Sequence, residues 1–137
     1  MTRKLPLLTL ETAPFWQGGE HGQLNICFCR GCQRFFHPPA LLCPQCLSFE
    51  VGPQPVSGKG RVVSFTVNHQ AWIPGLPVPY VVAIVELPEQ AGLRFVSNIV
   101  GGSVDDVCIG MPVQVTFEQI EDVWIPLFER DNAKDVA

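Results

Sequence analysis

The clearest pattern along the chain is an alternation of apolar and polar positions that begins near residue 61 and runs to residue 127. In residues 61–68, Val63, Phe65 and Val67 share one face while Ser64, Thr66 and Asn68 share the other, the period-two signature of a half-buried strand. Residues 80–87 are almost continuously apolar and β-branched, which predicts a strand covered on both faces. Glu89-Gln90-Ala91-Gly92 then turns the chain into residues 93–100, so these two runs predict a hairpin. Gly101-Gly102 breaks the pattern, and Asp105-Asp106 begins a short helical or turn segment. Alternation resumes in residues 113–120, with Val113, Val115 and Phe117 opposite Gln114, Thr116 and Glu118. It returns in residues 123–127 after Glu121-Asp122. Five strands with one interruption between the third and fourth predict the plan of an OB-fold barrel.

The first sixty residues follow no such rhythm. Residues 10–17 predict a short helical turn, with Pro14 in its first turn and Gly18-Gly19 at its end. The Phe15-Trp16 pair on that turn has no core of its own. It is expected either to pack on the neighbouring segment or to dock on another protein. Residues 34–39 read as a strand stub and a stiff turn, which makes His37 a turn residue. Residues 52–60 hold two prolines and three glycines and read as a linker or the lead into a strand. Between the first two barrel strands, residues 71–79 carry three prolines together with Trp72, Ile73, Leu76 and Val78. Such a stiff apolar loop loses little entropy when fixed. It is expected either to contact a ligand or partner or to plug the end of the barrel.

Composition narrows the classes. With 137 residues, 47% of them hydrophobic, the chain has enough apolar side chains for one ordinary domain or two small ones, and it is not disordered. Its apolar runs are strand-sized, well short of the ~20 residues a membrane-spanning helix needs. The basic start, Met1-Thr-Arg-Lys, leads into a short proline-containing apolar run and Glu11 with no small-residue cleavage site. A signal peptide is therefore not expected, and the expected compartment is cytoplasmic. Charge is divided: residues 1–60 carry +2 and residues 61–137 carry −6. That bias is the reverse of what a barrel gripping a polyphosphate backbone would show, so nucleic acid is a disfavoured partner.

Five of the six cysteines fall within twenty residues. Cys29-Arg-Gly-Cys32 and Cys43-Pro-Gln-Cys46 are two C-x-x-C pairs separated by ten residues. Each pair can form a tight knuckle whose backbone N–H groups face the sulfurs, and two facing knuckles supply the four thiolates of a closed tetrahedral site. Zinc is the expected ion, because holding together a segment too short for its own core is a structural task. Iron is the competitor, since a rubredoxin-like centre uses the same donors. Cys27 is expected to be a buried strand cysteine and Cys108 a small core residue. The fold class that follows is mainly β: a four-cysteine zinc ribbon, then a five-stranded OB-fold barrel, with a short N-terminal helix. The expected units are a lead-in over residues 1–25, the ribbon over 26–52, the barrel over 53–130 and a tail over 131–137.

The order of these features resembles a widespread bacterial and archaeal family that joins a rubredoxin-like zinc ribbon to an OB-fold, acyl-CoA-associated proteins found alongside thiolases. The matching residues are Phe15-Trp16 with Gly22, Cys29-x-x-Cys32, Pro38-Pro39 and Cys43-Pro44-x-Cys46. They continue through Ser57-Gly58-x-Gly60-x-Val62-x-Ser64-x-Thr66 and Pro79-Tyr80-x-Val82-Ala83-x-Val85-Glu86-Leu87 to Ile109-Gly110-Met111-Pro112-Val113. One departure stands out. Many members carry an arginine directly after the Pro-Pro pair, where this chain has Ala40; if that arginine binds an acidic group, this chain does without it or uses Arg34.

The resemblance implies a non-catalytic subunit that accompanies a thiolase, a lipid-transfer-type thiolase, an aldolase or an enoyl-CoA hydratase and helps position acyl-CoA. In agreement, no residues suggest catalysis: there is no Ser/His/Asp set, no Gly-rich phosphate cradle and no tuned carboxylate pair. A CoA site would combine basic and aromatic groups, which nominates Arg30, Arg34, Phe35, Arg61, His69, Trp72 and Tyr80. The partner-facing candidates are Phe15, Trp16, Ile73 and Leu76. Two other functions compete: a single-stranded nucleic-acid module, against which the acidic barrel argues, and a rubredoxin-like electron carrier, which would leave the barrel without a purpose.

Overall fold

A computed structural model describes residues 4–72, 74–75 and 77–131. Helix α1 (Ala13–Gln17) has Thr12 at its N-cap and Pro14 in its first turn. It is shorter than the sequence pattern predicts, because residues 9–12 close a turn of their own. There the Thr9 and Thr12 hydroxyls bond each other at 2.9 Å, and each accepts from the other residue's backbone N–H. The chain continues as a 3-10 turn (Gly18–His21) that stops at Gly22 with φ of 70°. A Cβ at Gly19 would lie 2.5 Å from Trp124 Cβ, so only glycine lets this turn lie flat on the barrel.

The ribbon is a three-stranded antiparallel sheet. β1 (Leu24–Cys29) is its centre, flanked by β2 (Arg34–Phe36) and β3 (Val51–Val56). The stretch expected as a linker is thus largely strand, paired with all of β1 from Leu24↔Val56 to Cys29↔Val51. Pro53 and Pro55 are tolerated because β3 is an edge, where a missing N–H leaves no ladder bond unmade. The ribbon sheet therefore runs past residue 52.

The second half is a closed barrel of β4 (Lys59–Asn68), β5 (Tyr80–Glu86), β6 (Arg94–Val100), β7 (Pro112–Ile120) and β8 (Val123–Arg130). The strand order is β4-β5-β6-β8-β7, with a 3-10 turn (Val104–Asp106) between β6 and β7. This is the five-stranded plan predicted, hairpin included. Only Ile99↔Phe128 and Val100↔Glu129 close β6 onto β8, in parallel.

Three local expectations change. A bulge between Val62 and Ser64 shifts the register of β4, so Val62 rather than Val63 is fully buried. β5 is not covered on both faces: Val81, Ala83 and Val85 point inward while Ile84 remains 37% exposed. Cys108 is exposed rather than in the core, because it sits on the outside of a turn whose flanking Val107 and Met111 point in.

A single hydrophobic core runs through both sheets. Phe15 of α1 and Leu24 and Ile26 of β1 join Val62, Val85, Leu87, Phe95, Val113 and Phe128. Each such side chain taken from water contributes on the order of 1.5–3 kcal/mol. The seam is aromatic. His37 sits between Phe15 (centroids 4.8 Å apart) and Phe95 (5.3 Å), and Phe95 reaches Phe128 at 5.7 Å. A second clasp is polar: the Gln90 side-chain amide accepts from Phe35 N–H at 2.8 Å and donates to Phe35 C=O at 2.9 Å, occupying the free edge of β2. Together they bind ribbon to barrel.

Candidate metal centre

Cys29 ends β1, and the chain immediately turns back to Cys32, whose N–H donates to Cys29 Sγ at 3.4 Å. The second knuckle repeats the device, with Gln45 N–H donating to Cys43 Sγ at 3.4 Å and Leu47 N–H to Cys43 C=O at 3.0 Å. In each, the residue after the second cysteine adopts a left-handed backbone: Gln33 at φ 59° and Leu47 at φ 64°. That conformation, unusual for a non-glycine residue, turns both knuckles inward.

The four sulfurs meet. Cys29 Sγ lies 3.6 Å from Cys46 Sγ and Cys32 Sγ lies 3.7 Å from Cys43 Sγ, and all four fall within 4.8 Å of one another. Metal–sulfur bonds of about 2.3 Å in a tetrahedron set the sulfurs about 3.8 Å apart, so the spacing suits one tetrahedral ion and is far too long for disulfides. Electrostatics point the same way. N–H groups of Cys46 and Gln45 hold the Cys43 thiol down to about 6, whereas burial and the neighbouring thiols push Cys32 up to about 12. Four thiolates cannot share so small a space without a cation to neutralise them. With four protein donors the coordination is closed, the mark of a structural rather than a catalytic centre.

Cys27 does not join the cluster. Its buried thiol reaches toward Ala40 C=O at 3.8 Å, and burial raises its pKa. His37 is no ligand either. It belongs to the aromatic seam, burial draws its pKa down to about 4, and its Nδ1 finds no hydrogen-bond partner among the described residues.

The seven ligand candidates fall in three places. Arg30 and Arg34 are exposed on the ribbon, where Phe35 packs edge-on against Phe28 at 4.8 Å. Arg61 pairs in register with Glu86 near one end of β4. His69, Trp72 and Tyr80 gather at the other end, about 23 Å along the strand. There Asn68 pairs with Tyr80 and accepts from Trp72 Nε1 at 3.3 Å, and Trp72 is 74% exposed. Beside them a cleft of about 680 Å³ is lined by Pro77, Pro79, Tyr80, Asn98 and Glu118. Of the partner candidates, Phe15 is buried and Trp16 packs edge-on against it at 4.8 Å, so the pair serves the core first. Ile73 and Leu76 lie outside the described residues. The Gln90 clasp and the His37 seam had no signal in the sequence, because a turn glutamine and a histidine before Pro-Pro look ordinary.

Comparison with known proteins gives a consistent picture. Family models for the ChsH2 rubredoxin-like zinc ribbon domain and the ChsH2 C-terminal OB-fold domain match residues 16–52 and 53–118. A probable enoyl-CoA hydratase alpha subunit of Thermomonospora curvata is 35% identical over 127 residues, 92% of this chain but 39% of that protein's length. A DUF35 domain-containing scaffold protein of Methanocaldococcus jannaschii is 37% identical over 101 residues, 69% of this chain and 67% of that one. Among solved structures, an Ltp2-ChsH2(DUF35) aldolase includes a chain 35% identical with a TM-score of 0.81, covering 92% of this chain and 98% of that chain.

Proposed function

The chain belongs to the ChsH2 and DUF35 family, which joins a rubredoxin-like zinc ribbon to an OB-fold, and from that premise we propose that it is a non-catalytic accessory subunit of an acyl-CoA-processing enzyme. The enzyme is a hydratase or a thiolase-fold aldolase. One observation carries the reading: nearly the whole chain is similar to a subunit of an aldolase complex. The centre supports it, since four thiols with no open position leave nothing to activate a substrate.

The ion is zinc, held by Cys29, Cys32, Cys43 and Cys46. It supplies charge neutralisation and a rigid link between the two knuckles, which keeps β1 and β2 in register against the barrel. For the thioester, the reading takes His69, Trp72 and Tyr80 as the contact, because they combine exposure, aromatic surface and a neighbouring cleft. Arg30, Arg34, Phe35 and Arg61 lie apart from that end. For the compartment, the reading keeps the cytoplasm expected from the sequence. No helix among the described residues is long and apolar enough to cross a membrane.

Affinity isolation from the native host, with metal analysis, tests the proposal. The expected result is a stoichiometric acyl-CoA enzyme subunit and one zinc per chain. Isolation without such an enzyme, or a red iron-loaded centre that bleaches reversibly, would contradict it.

A further inference from the structure

The cleft near Trp72 has a lining that decides which part of a thioester it can hold. One wall is the proline loop, through Pro77 and Pro79. The other is the end of β6 and the turn after it, through Ile99 and Val104. Prolines keep the first wall in shape before anything binds, so little entropy is lost on binding. At about 680 Å³ the cleft falls within the range of small-molecule sites, about 300–1,000 Å³. Its polar groups are neutral with one exception. Asn98 spends its side-chain N–H on Val81 C=O at 2.7 Å, which leaves its amide oxygen as an acceptor. Tyr80 brings a hydroxyl that can donate or accept. A Cβ at Gly102 would meet nothing within 4 Å, so the wall there is bare backbone. The exception is Glu118, the only charged residue among the described ones that line the cleft, and it is an acid.

The bases lie elsewhere. Lys59 and Arg94 form ion pairs with Asp131 (3.0 Å) and Glu86 (2.8 Å), and Arg61 lies in register with Glu86, toward the far end of β4. Lys4, Arg30 and Arg34 belong to the N-terminal stretch and the ribbon. Arg130 lines a neighbouring cleft in the company of two acids, Asp106 and Glu129. His69 follows β4 outside the lining. A phosphate placed in the cleft would give up its water to face a carboxylate, with no cation in the lining to compensate. An uncharged group with amides and an apolar end meets no such cost.

We propose that this cleft takes the acyl-pantetheine end of the thioester and leaves the nucleotide end of CoA, with its phosphates, outside. The inference rests on the reading of His69, Trp72 and Tyr80 as the thioester contact and adds which half of the molecule enters. The acyl group packs on Pro77, Pro79, Ile99 and Val104. The pantetheine amides, neutral donors and acceptors, suit Asn98, the Tyr80 hydroxyl and the bare backbone at Gly102.

Calorimetry on the full chain tests this with three probes: an acyl-CoA, the same acyl group on pantetheine, and adenosine bisphosphate. Acyl-pantetheine should bind within about threefold of acyl-CoA. Adenosine bisphosphate should neither bind nor compete, and raising the salt should not weaken the acyl-CoA complex. Two variants locate the site. Pro77→Glu, at an exposed position in the lining, should weaken acyl-pantetheine at least about tenfold. Phe49→Ser, in an exposed apolar position on the ribbon, should leave it unchanged. Both positions are exposed, so melting temperature and metal content should match wild type. Acyl-CoA binding that adenosine bisphosphate displaces, or that salt weakens, would overturn the inference and leave the thioester contact standing. Full affinity in Pro77→Glu, or a loss in Phe49→Ser, would put the ligand elsewhere and overturn it too. A chain that binds none of the three probes would overturn both the inference and the contact, while the accessory role, read by co-isolation, would stand.

Discussion

Burial between the rings of Phe15 and Phe95 holds the His37 imidazole neutral, its pKa drawn from 6.5 to about 4. An unfolded chain takes up that proton near 6.5, so the folded state loses stability as pH falls from 6.5 toward 4, and the loss levels off below. The full effect is at most about 3 kcal/mol. Denaturant melts at pH 7 and pH 4.5 should show it in wild type and not in His37→Phe; equal pH dependence in both would remove His37 from the explanation. Gln90 works through hydrogen bonds alone. Gln90→Ala leaves the N–H and C=O of half-buried Phe35 without their partner and should cost about 1–3 kcal/mol by the same measurement. Neither role was legible in the sequence, because both are made by contacts between residues tens of positions apart. The clustering of the four cysteines was legible, since C-x-x-C is a local device whose spacing already describes the knuckle. Cys108 misled for the opposite reason: an isolated cysteine carries no information about which way a turn presents it.

At the scale of elements, the barrel's strand number, their order of appearance and the β5–β6 hairpin could be read from alternation alone. What alternation hides is register. The bulge after Val62 buries Val62 in place of Val63 while Phe65 and Val67 keep the inner face that alternation gave them, and a proline-rich stretch reads as a linker even where it forms the edge strand β3. The length of β4 separates the ligand candidates, leaving Arg61 at one end and His69 just past the other. Helix α1 takes the first of its two expected roles, packing rather than docking, and is a piece of the core through Phe15. Phe15→Ala should lower stability by about 3 kcal/mol or more. Because the knuckles are built from β1 and the turns after it, metal content in that variant should remain at the wild-type level. Loss of the metal together with the helix would mean that α1, not the knuckles, organises the cage.

For the whole molecule, the ribbon and the barrel share one core, so removing the proposed ion should be felt beyond the ribbon. Chelation should lower the melting temperature and loosen the Phe15–His37–Phe95 seam, seen as lost near-ultraviolet ellipticity, and Cys43→Ser should reproduce it. An unchanged melt after the metal has left would mean that the hydrophobic core holds the ribbon unaided. The division of charge, basic over the first sixty residues and acidic beyond, gives the molecule two ends that can meet different surfaces. The proposed function joins these properties as service to another subunit's chemistry. Steady-state turnover of acyl-CoA by the co-isolated enzyme, with this chain withheld and then restored, tests that claim most directly. Activity should fall without the chain and return when it is added, and the chain alone should turn over nothing. Full activity of the enzyme by itself, or turnover of a thioester by this chain alone, would contradict the account.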